Sequence, residues 1–252
     1  MFRRIMQIKI GCCGFCIARS KYFKEFNVVE LQETFYDMPS EDRMKSLRSE
    51  AYQDFEFTVK VFQAITHSSN SPTWKKMKYK LQGELKNYGY LKPTKENLNI
   101  WDEFLRRTKP LNAKAYIFQT PPSMPVNEDS CKWVIDFFRT IESRDLIFCW
   151  EPRGEWYRRE DLLRKVLDST NIVHVVDPLK RKPLKISNVM YFRLHGLNGG
   201  EVNYRYKYTD DDLERLSKYV KYELSNVLLI YVLFNNIYMR DDTSRFRKLL
   251  ES

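Results

Sequence analysis

The chain has 252 residues, 43% of them hydrophobic, with 16 Phe, 16 Tyr and 5 Trp against only 8 Gly, a composition that excludes a disordered tract and supplies a sizeable core. No apolar run approaches the ~20 residues of a membrane-spanning helix, and "MFRRIMQIKIG" has no secretory apolar segment, so the expectation is a soluble, cytoplasmic protein. Five cysteines, an odd number, argue against a disulfide framework, and a net charge of +10 favours polyanionic partners.

Short β-rich runs alternate with stretches of helical period. The candidate strands are "IKIGC" (8–12), "VVEL" (28–31), "FEFTVKV" (55–61), "AYIFQ" (115–119), "LIFCWE" (146–151), "IVHVVD" (172–177), "VMYFRLH" (189–195) and "VLLIYVLF" (227–234). Helices are predicted over 40–51, 94–107, 127–142, 158–167, 209–224 and 242–250, the first opened by "PSED" with a Ser cap, the second by "PTKEN" and the fifth by "TDDD". Eight β units with intervening helices in ~250 residues have the rhythm of a single TIM-type (β/α)8 barrel. A doubly wound sheet is the rival, but no Gly-x-Gly-x-x-Gly fingerprint follows the first strand. Residues 178–188 are too short and proline-marked for a full helix, so one helix of the ring is expected to be missing or irregular. Residues 67–93 are too long for an ordinary loop and read as an inserted excursion.

Lys75, Lys76, Lys78, Lys80, Lys86, Lys92 and Lys95, in and just after that excursion, interleave with Trp74, Tyr79, Tyr88 and Tyr90, and "LKRKPLK" (179–185) is a second basic run. Such a pattern suits phosphate neutralisation with base stacking, and equally a solvated lysine-rich surface.

Strand side chains alternate between faces. In "FEFTVKV" the apolar parity leaves Thr58 and Lys60 inward; in "VVEL" it leaves Glu30 and Gln32 inward, on the strand next to Lys60, where Glu30 and Lys60 could pair. Glu151 and Arg153 share a parity, as do Arg193 and His195, while Asp177, Gln119 and Asn235 or Asn236 end their strands. Polar groups thus gather at carboxyl strand ends, where barrel enzymes build their sites. A satisfied ion-pair network is the structural alternative, although buried pairs are a weak way to stabilise a core. Lys60, Arg153 and Arg193 are candidate anion clamps. Glu30, Glu151, Asp177, His67 and His195 are candidate acid–base groups, and Glu30, Glu151, Asp177 and His195 candidate ligands of a divalent metal ion. Together they suit metal-assisted chemistry on a phosphate-containing substrate such as DNA or RNA. "GCCGFC" adds Cys13 and Cys16 at Cys-x-x-Cys spacing, an alternative metal or redox pair beside Cys12, without a second paired motif to complete a four-ligand site.

"VELQETFY", "FTVKVFQAITH", "FQTPPS", "WEPRGEW", "VVDP", "YFRLHG" and "LFNN" occur in an order that resembles the YecE-like family, domain of unknown function 72, as an archaeal-type member with a cysteine-rich first strand end. The resemblance implies a TIM-type barrel. The family's Val-Glu-x-Asn-x-x-Phe-Tyr pattern falls on Val29, Glu30, Gln32, Phe35 and Tyr36, and its Lys and Thr-His on Lys60, Thr66 and His67. Its Pro-Pro falls on Pro121 and Pro122, Glu-x-Arg-x-x-x-Trp on Glu151, Arg153 and Trp156, and Arg-x-His-Gly on Arg193, His195 and Gly196. Gln32 replaces the usual Asn, Gly154 stands where a His often follows the Arg, and "GCCGFC" replaces a Gly-Thr-Ser-Gly-Trp opening. The convergence of polar groups together with the basic charge makes the expected protein a barrel enzyme on a phosphate-containing substrate, with catalytic Glu30, Lys60, His67, Glu151, Asp177 and His195. Gln32, Tyr36, Gln119, Arg153, Trp156, Arg193 and Asn235 would contact the substrate. A non-catalytic nucleic-acid-binding module and a cysteine-ligated metal or redox protein are the alternatives.

Overall fold

The computed structural model describes residues 6–141, 143 and 145–251. Its strands are β1 (Gln7–Cys13), β2 (Val28–Leu31), β3 (Glu56–Lys60), β4 (Ala115–Gln119), β5 (Ile147–Glu151), β6 (Val173–His174), β7 (Val189–Leu194) and β8 (Leu229–Phe234). The helices are α1 (Arg19–Glu25), α2 (Glu33–Tyr36), α3 (Glu41–Glu50), α4 (Gln63–Thr66), α5 (Lys95–Thr108), α6 (Glu128–Thr140), α7 (Glu160–Ser169), α8 (Asp210–Lys218) and α9 (Met239–Glu251). The strands run in the order β6-β5-β4-β3-β2-β1-β8-β7, and a parallel bridge from Val176 to Phe192 links the segment after β6 to β7. This is the TIM-type (β/α)8 fold expected from the sequence.

The helix starts follow the capping signals. Ser40, Thr94 and Asn127 accept from the backbone N–H three residues on, and Thr209 with Asp212 forms a reciprocal capping box. α6 ends at Thr140, and Glu142, the expected last residue, lies outside the described residues. α8 stops at Lys218 and passes into a π-helical turn, Tyr219–Glu223, where one continuous helix was expected. α1 was missed: Arg19–Glu25 is short and has no side-chain cap to announce it. Between β6 and β7 the chain makes turns and bends only, so the ring lacks a helix at the place its proline-marked sequence indicated.

The chain forms two compact units, one built from residues 31–52 and 57–172, the other from the remainder. In the first, β3, β4 and β5 pair in parallel, with Lys60 beside Ile117 and Gln119 beside Glu151. Trp101 sits at the centre of its aromatic core against Phe104, Tyr116, Phe118 and Phe148. The excursion belongs to this unit; only two short 3-10 turns, Pro72–Lys76 and Leu85–Asn87, punctuate it. Its Lys75, Lys76, Lys78, Lys80 and Lys86 are exposed, while Tyr88 and Leu91 are buried. In the second unit β1 pairs with β2 and β8, and β8 with β7; Cys13 lies beside Glu30, and Leu233 beside both Gly11 and Arg193. Tyr208, Leu213, Leu216, Phe234 and Phe246 pack its apolar side.

Candidate functional site

In the second unit the inward parity of β7 carries Tyr191, Arg193 and, one step past the strand, His195. Arg193 donates from Nη2 to Glu30 Oε1 at 2.8 Å, and Tyr191 donates from its hydroxyl to Glu30 Oε2 at 2.9 Å; both charged side chains are wholly buried. Arg193 and Tyr191 are thus partners of Glu30 beyond the Lys60 that the sequence set against it. A polar column continues below: Tyr191 stacks on Tyr231 with ring centres 5.2 Å apart, Tyr231 donates to Glu56 Oε2 at 2.6 Å, and Lys9 pairs with Glu56 Oε1 at 2.8 Å. Tyr191 went unread as a site residue although it shares the alternation of Arg193 and His195.

Asp177 and His195 meet at the strand ends of the same unit. The Asp177 carboxylate accepts from the backbone N–H of His195 at 3.2 Å and of Leu179 at 3.1 Å, and the Tyr208 hydroxyl lies 3.5 Å away. Burial pushes the Asp177 carboxyl up to about 6; the backbone N–H of His195 and the charge of Lys180 oppose that rise only in part. The Asn235 amide nitrogen lies 3.1 Å from His195 Nδ1. With an amide N–H as its partner, Nδ1 accepts, and the imidazole proton sits on Nε2.

The loop after β7 is pinned around this histidine. Gly196 has φ +81°, and a Cβ there would lie 2.1 Å from the Asn203 carbonyl oxygen, so the turn admits glycine alone. Gly196 N–H donates to the Tyr208 hydroxyl at 2.7 Å, and Asn203 N–H to the His195 carbonyl at 2.8 Å. Of the two asparagines that end β8, Asn235 holds His195 whereas Asn236 secures the loop, donating to the Tyr206 carbonyl and to Asp242, both at 2.7 Å. Tyr208 and Asn203 were not foreseen, because a loop's partners leave no periodic trace.

The first unit carries a different arrangement. Lys60 Nζ sits 4.0 Å above the Phe35 ring, and the His67 ring meets that of Phe35 edge to face with centres 4.9 Å apart. His67 Nδ1 lies 2.8 Å from the Thr66 hydroxyl. Burial, reinforced by the charge of Lys60, lowers His67 to about 3, so its imidazole is neutral at physiological pH. Arg153 pairs with Glu151 at 2.7 Å, both nearly buried, and Gln119 lies beside Glu151 on β4. Trp156 packs its ring edge-on to Trp150 at 5.0 Å. Among the described residues the Trp156 indole N–H and the Gln63 side-chain oxygen are two of several buried polar atoms without a hydrogen-bond partner, while Gln63 donates to the Tyr36 carbonyl at 2.7 Å. Gln32 precedes α2 half-buried, and Tyr36 is exposed. Gly154 adopts φ +68°, and a Cβ would lie 2.9 Å from Pro122 Cα, which accounts for glycine where the family pattern often has histidine.

Among the described residues no group of three or more His, Cys, Asp or Glu side chains gathers in a way that could hold a metal ion. The carboxylates expected as ligands are engaged elsewhere, Glu30 by Arg193 and Glu151 by Arg153. Of the cysteines, the pair in contact is Cys12 and Cys16, with sulfurs 3.7 Å apart; Cys13, the expected partner of Cys16, lies on the opposite face of β1, beside Glu30. Among the described residues no helix is long and apolar enough to cross a membrane.

A (β/α)8 barrel with buried, titratable side chains at its carboxyl strand ends defines the class of this protein. The family model described as "Protein of unknown function DUF72" matches residues 19–252, and the chain belongs to that family. A DUF72 protein of Enterococcus faecalis superposes with a TM-score of 0.73 at 19% identity, over 99% of this chain and 100% of that one. A DUF72 protein of Thermotoga maritima gives 0.70 at 24% identity, over 97% and 99%. The fold also resembles 3-keto-D-glucoside 4-epimerase of E. coli, with a TM-score of 0.54 at 10% identity, over 98% and 99%. No curated protein sequence matches the chain.

Proposed function

We propose that this protein is an enzyme that works by proton transfer on a small, hydroxyl- and carbonyl-bearing substrate, with His195 donating from Nε2 to a substrate oxygen. The observation that carries this reading is the way His195 is held: Asn235 supplies a donor to Nδ1, and Asp177 binds the histidine's own backbone N–H. An imidazole whose Nδ1 is taken by the Asn235 amide presents Nε2–H as a hydrogen-bond donor suited to polarising a carbonyl. Asp177 serves as the positioning residue.

The substrate class follows from charge. Arg193 and Arg153, the expected anion clamps, are already paired with Glu30 and Glu151, which leaves less net positive charge for a phosphate. The test is incubation with a panel of aldoses, ketoses and their phosphates in D2O, read by mass spectrometry for solvent deuterium on carbon. Wild type is expected to exchange at least one, and His195→Asn to lose roughly 100-fold or more of that rate. A panel that stays unlabelled, or a His195→Asn variant that still exchanges, overturns the reading.

The phosphate-containing substrate, the divalent ion and the nucleic-acid module expected from the sequence form the second reading, favoured by one surface feature. Exposed Lys76 lies 4.7 Å over the Tyr36 ring, and Lys92 lies about as far from Tyr90 (6.0 Å) as from Trp133 (5.9 Å), cations set on aromatic faces as single-stranded nucleic acid would require. Cleavage of single-stranded DNA or RNA with Mg²⁺ or Mn²⁺ supplied would favour it over the first.

A further inference from the structure

We propose that Cys12 and Cys16 form a reversible disulfide, with Cys16 as the attacking thiol, Cys12 as the resolving thiol and a peroxide as oxidant. This goes beyond the acid–base reading and does not depend on it.

The two sulfurs lie 3.7 Å apart, already in contact. Cys12 is fixed: it lies in β1, wholly buried, with its sulfur 3.4 Å from the Thr243 hydroxyl and 3.6 Å from the Met239 carbonyl on α9. Cys16 is partly exposed in the bend that follows Gly14, whose φ is +100°, and no helix or strand spans it. Closing to the ~2.05 Å of a disulfide asks for roughly 1.7 Å of movement, which an irregular segment can supply and a strand cannot. The division of labour follows from the surroundings. The Cys12 thiol donates to Cys16, and Arg240 lies near enough to favour its anion, so Cys16 is held below the usual thiol range despite its burial. Burial drives Cys12 in the opposite direction, keeping it protonated. Arg240 is itself anchored to Glu25 at 2.7 Å.

In the first step the Cys16 thiolate attacks one peroxide oxygen; an S–O bond forms, the O–O bond breaks, and the departing hydroxide is protonated to water, leaving a sulfenic acid. In the second, Cys12 attacks the Cys16 sulfur; the S–S bond forms, the S–O bond breaks, and the hydroxyl leaves as water with the Cys12 proton. Two thiols are oxidised by two electrons, and one peroxide is reduced to two waters. Cys13 takes no part: it neighbours Cys12 in sequence but faces the Glu30 side of β1.

The reduced full chain is exposed to a slight excess of hydrogen peroxide, denatured with N-ethylmaleimide present, and weighed. The expected product carries two fewer maleimides than the reduced control, is restored by dithiothreitol, and in the tryptic peptide Ile10–Arg19 holds its one label on Cys13. Cys13→Ser should still lose two labels. Cys16→Ser should lose none, and Cys12→Ser should stop at a sulfenic acid that dimedone captures on Cys16. The proposal fails if peroxide leaves every thiol free, if the bond includes Cys13, or if Cys16 gains oxygen atoms without the two-label loss. Because wild type alone answers the first question, a variant that folds poorly does not shield the idea.

Discussion

Removing the Glu30 carboxylate tests whether the polar column is structural. In Glu30→Gln the Arg193 guanidinium stays charged at 0% side-chain exposure, and the hydroxyl of Tyr191 loses its anionic acceptor. Leaving one partner of a buried pair uncompensated costs about 3–5 kcal/mol, with roughly 1 kcal/mol of that order carried by the tyrosine bond. For a chain of this size each kcal/mol moves the midpoint by about 2–4 °C, so thermal unfolding followed by circular dichroism should fall by roughly 6–20 °C. The decisive comparison is the cycle with Arg193→Met. Glu30→Gln combined with Arg193→Met removes both charges at once and should recover most of the loss, giving a coupling of at least about 2 kcal/mol. If Glu30→Gln costs under about 1 kcal/mol, or if the two losses simply add, Glu30 is not there to neutralise Arg193, and a ligand-facing role becomes the better account.

Acid titration separates two buried groups of opposite sign. His67 falls from 6.5 to about 3 on folding, so its stabilisation is complete above pH 6.5 and is lost as pH drops toward 3, up to roughly 5 kcal/mol; His67→Gln should flatten that acid limb in urea denaturation. Asp177 rises from 3.8 to about 6, so its contribution is present below 3.8 and is lost as pH climbs through 6, up to roughly 3 kcal/mol; Asp177→Asn should gain on wild type across that window. Gly154→His restores the family's frequent residue at a φ of +68° against Pro122, and chemical denaturation should show a loss of about 1–3 kcal/mol instead of a gain in function. If the basic surface binds nucleic acid, Lys76→Ala and Lys92→Ala should each lower the slope of log K against log salt by about 1, with no effect from His195→Asn.

The strands and the inward placement of Lys60, Glu30, Arg193 and His195 were legible because a two-residue alternation leaves its mark in consecutive letters. Partners were not. Alternation says that Glu30 and Arg193 point inward; it does not say which inward group each will meet, since they are 163 positions apart and their meeting depends on the registers of β1 with β2 and of β7 with β8 through β1. The cysteines show the same limit from the other side. Cys13 and Cys16 have the spacing that chemistry favours, yet strand alternation turns Cys13 inward and Cys12 toward α9, and the bend after Gly14 brings Cys16 back to Cys12. A spacing rule holds where both residues share one helix or one tight turn; here a strand end lies between them, and its parity decides which thiol is met. The same reasoning bears on function. Charge count suggested an anion site; in the structure Arg153 and Arg193 lie opposite carboxylates 2.7–2.8 Å away, and among the described residues the Trp156 indole N–H and the Gln63 side-chain oxygen are two of the buried polar atoms left without a hydrogen-bond partner. A site is defined by the hydrogen-bonding capacity left after folding, and that capacity depends on strand register and loop partners that no run of consecutive letters records.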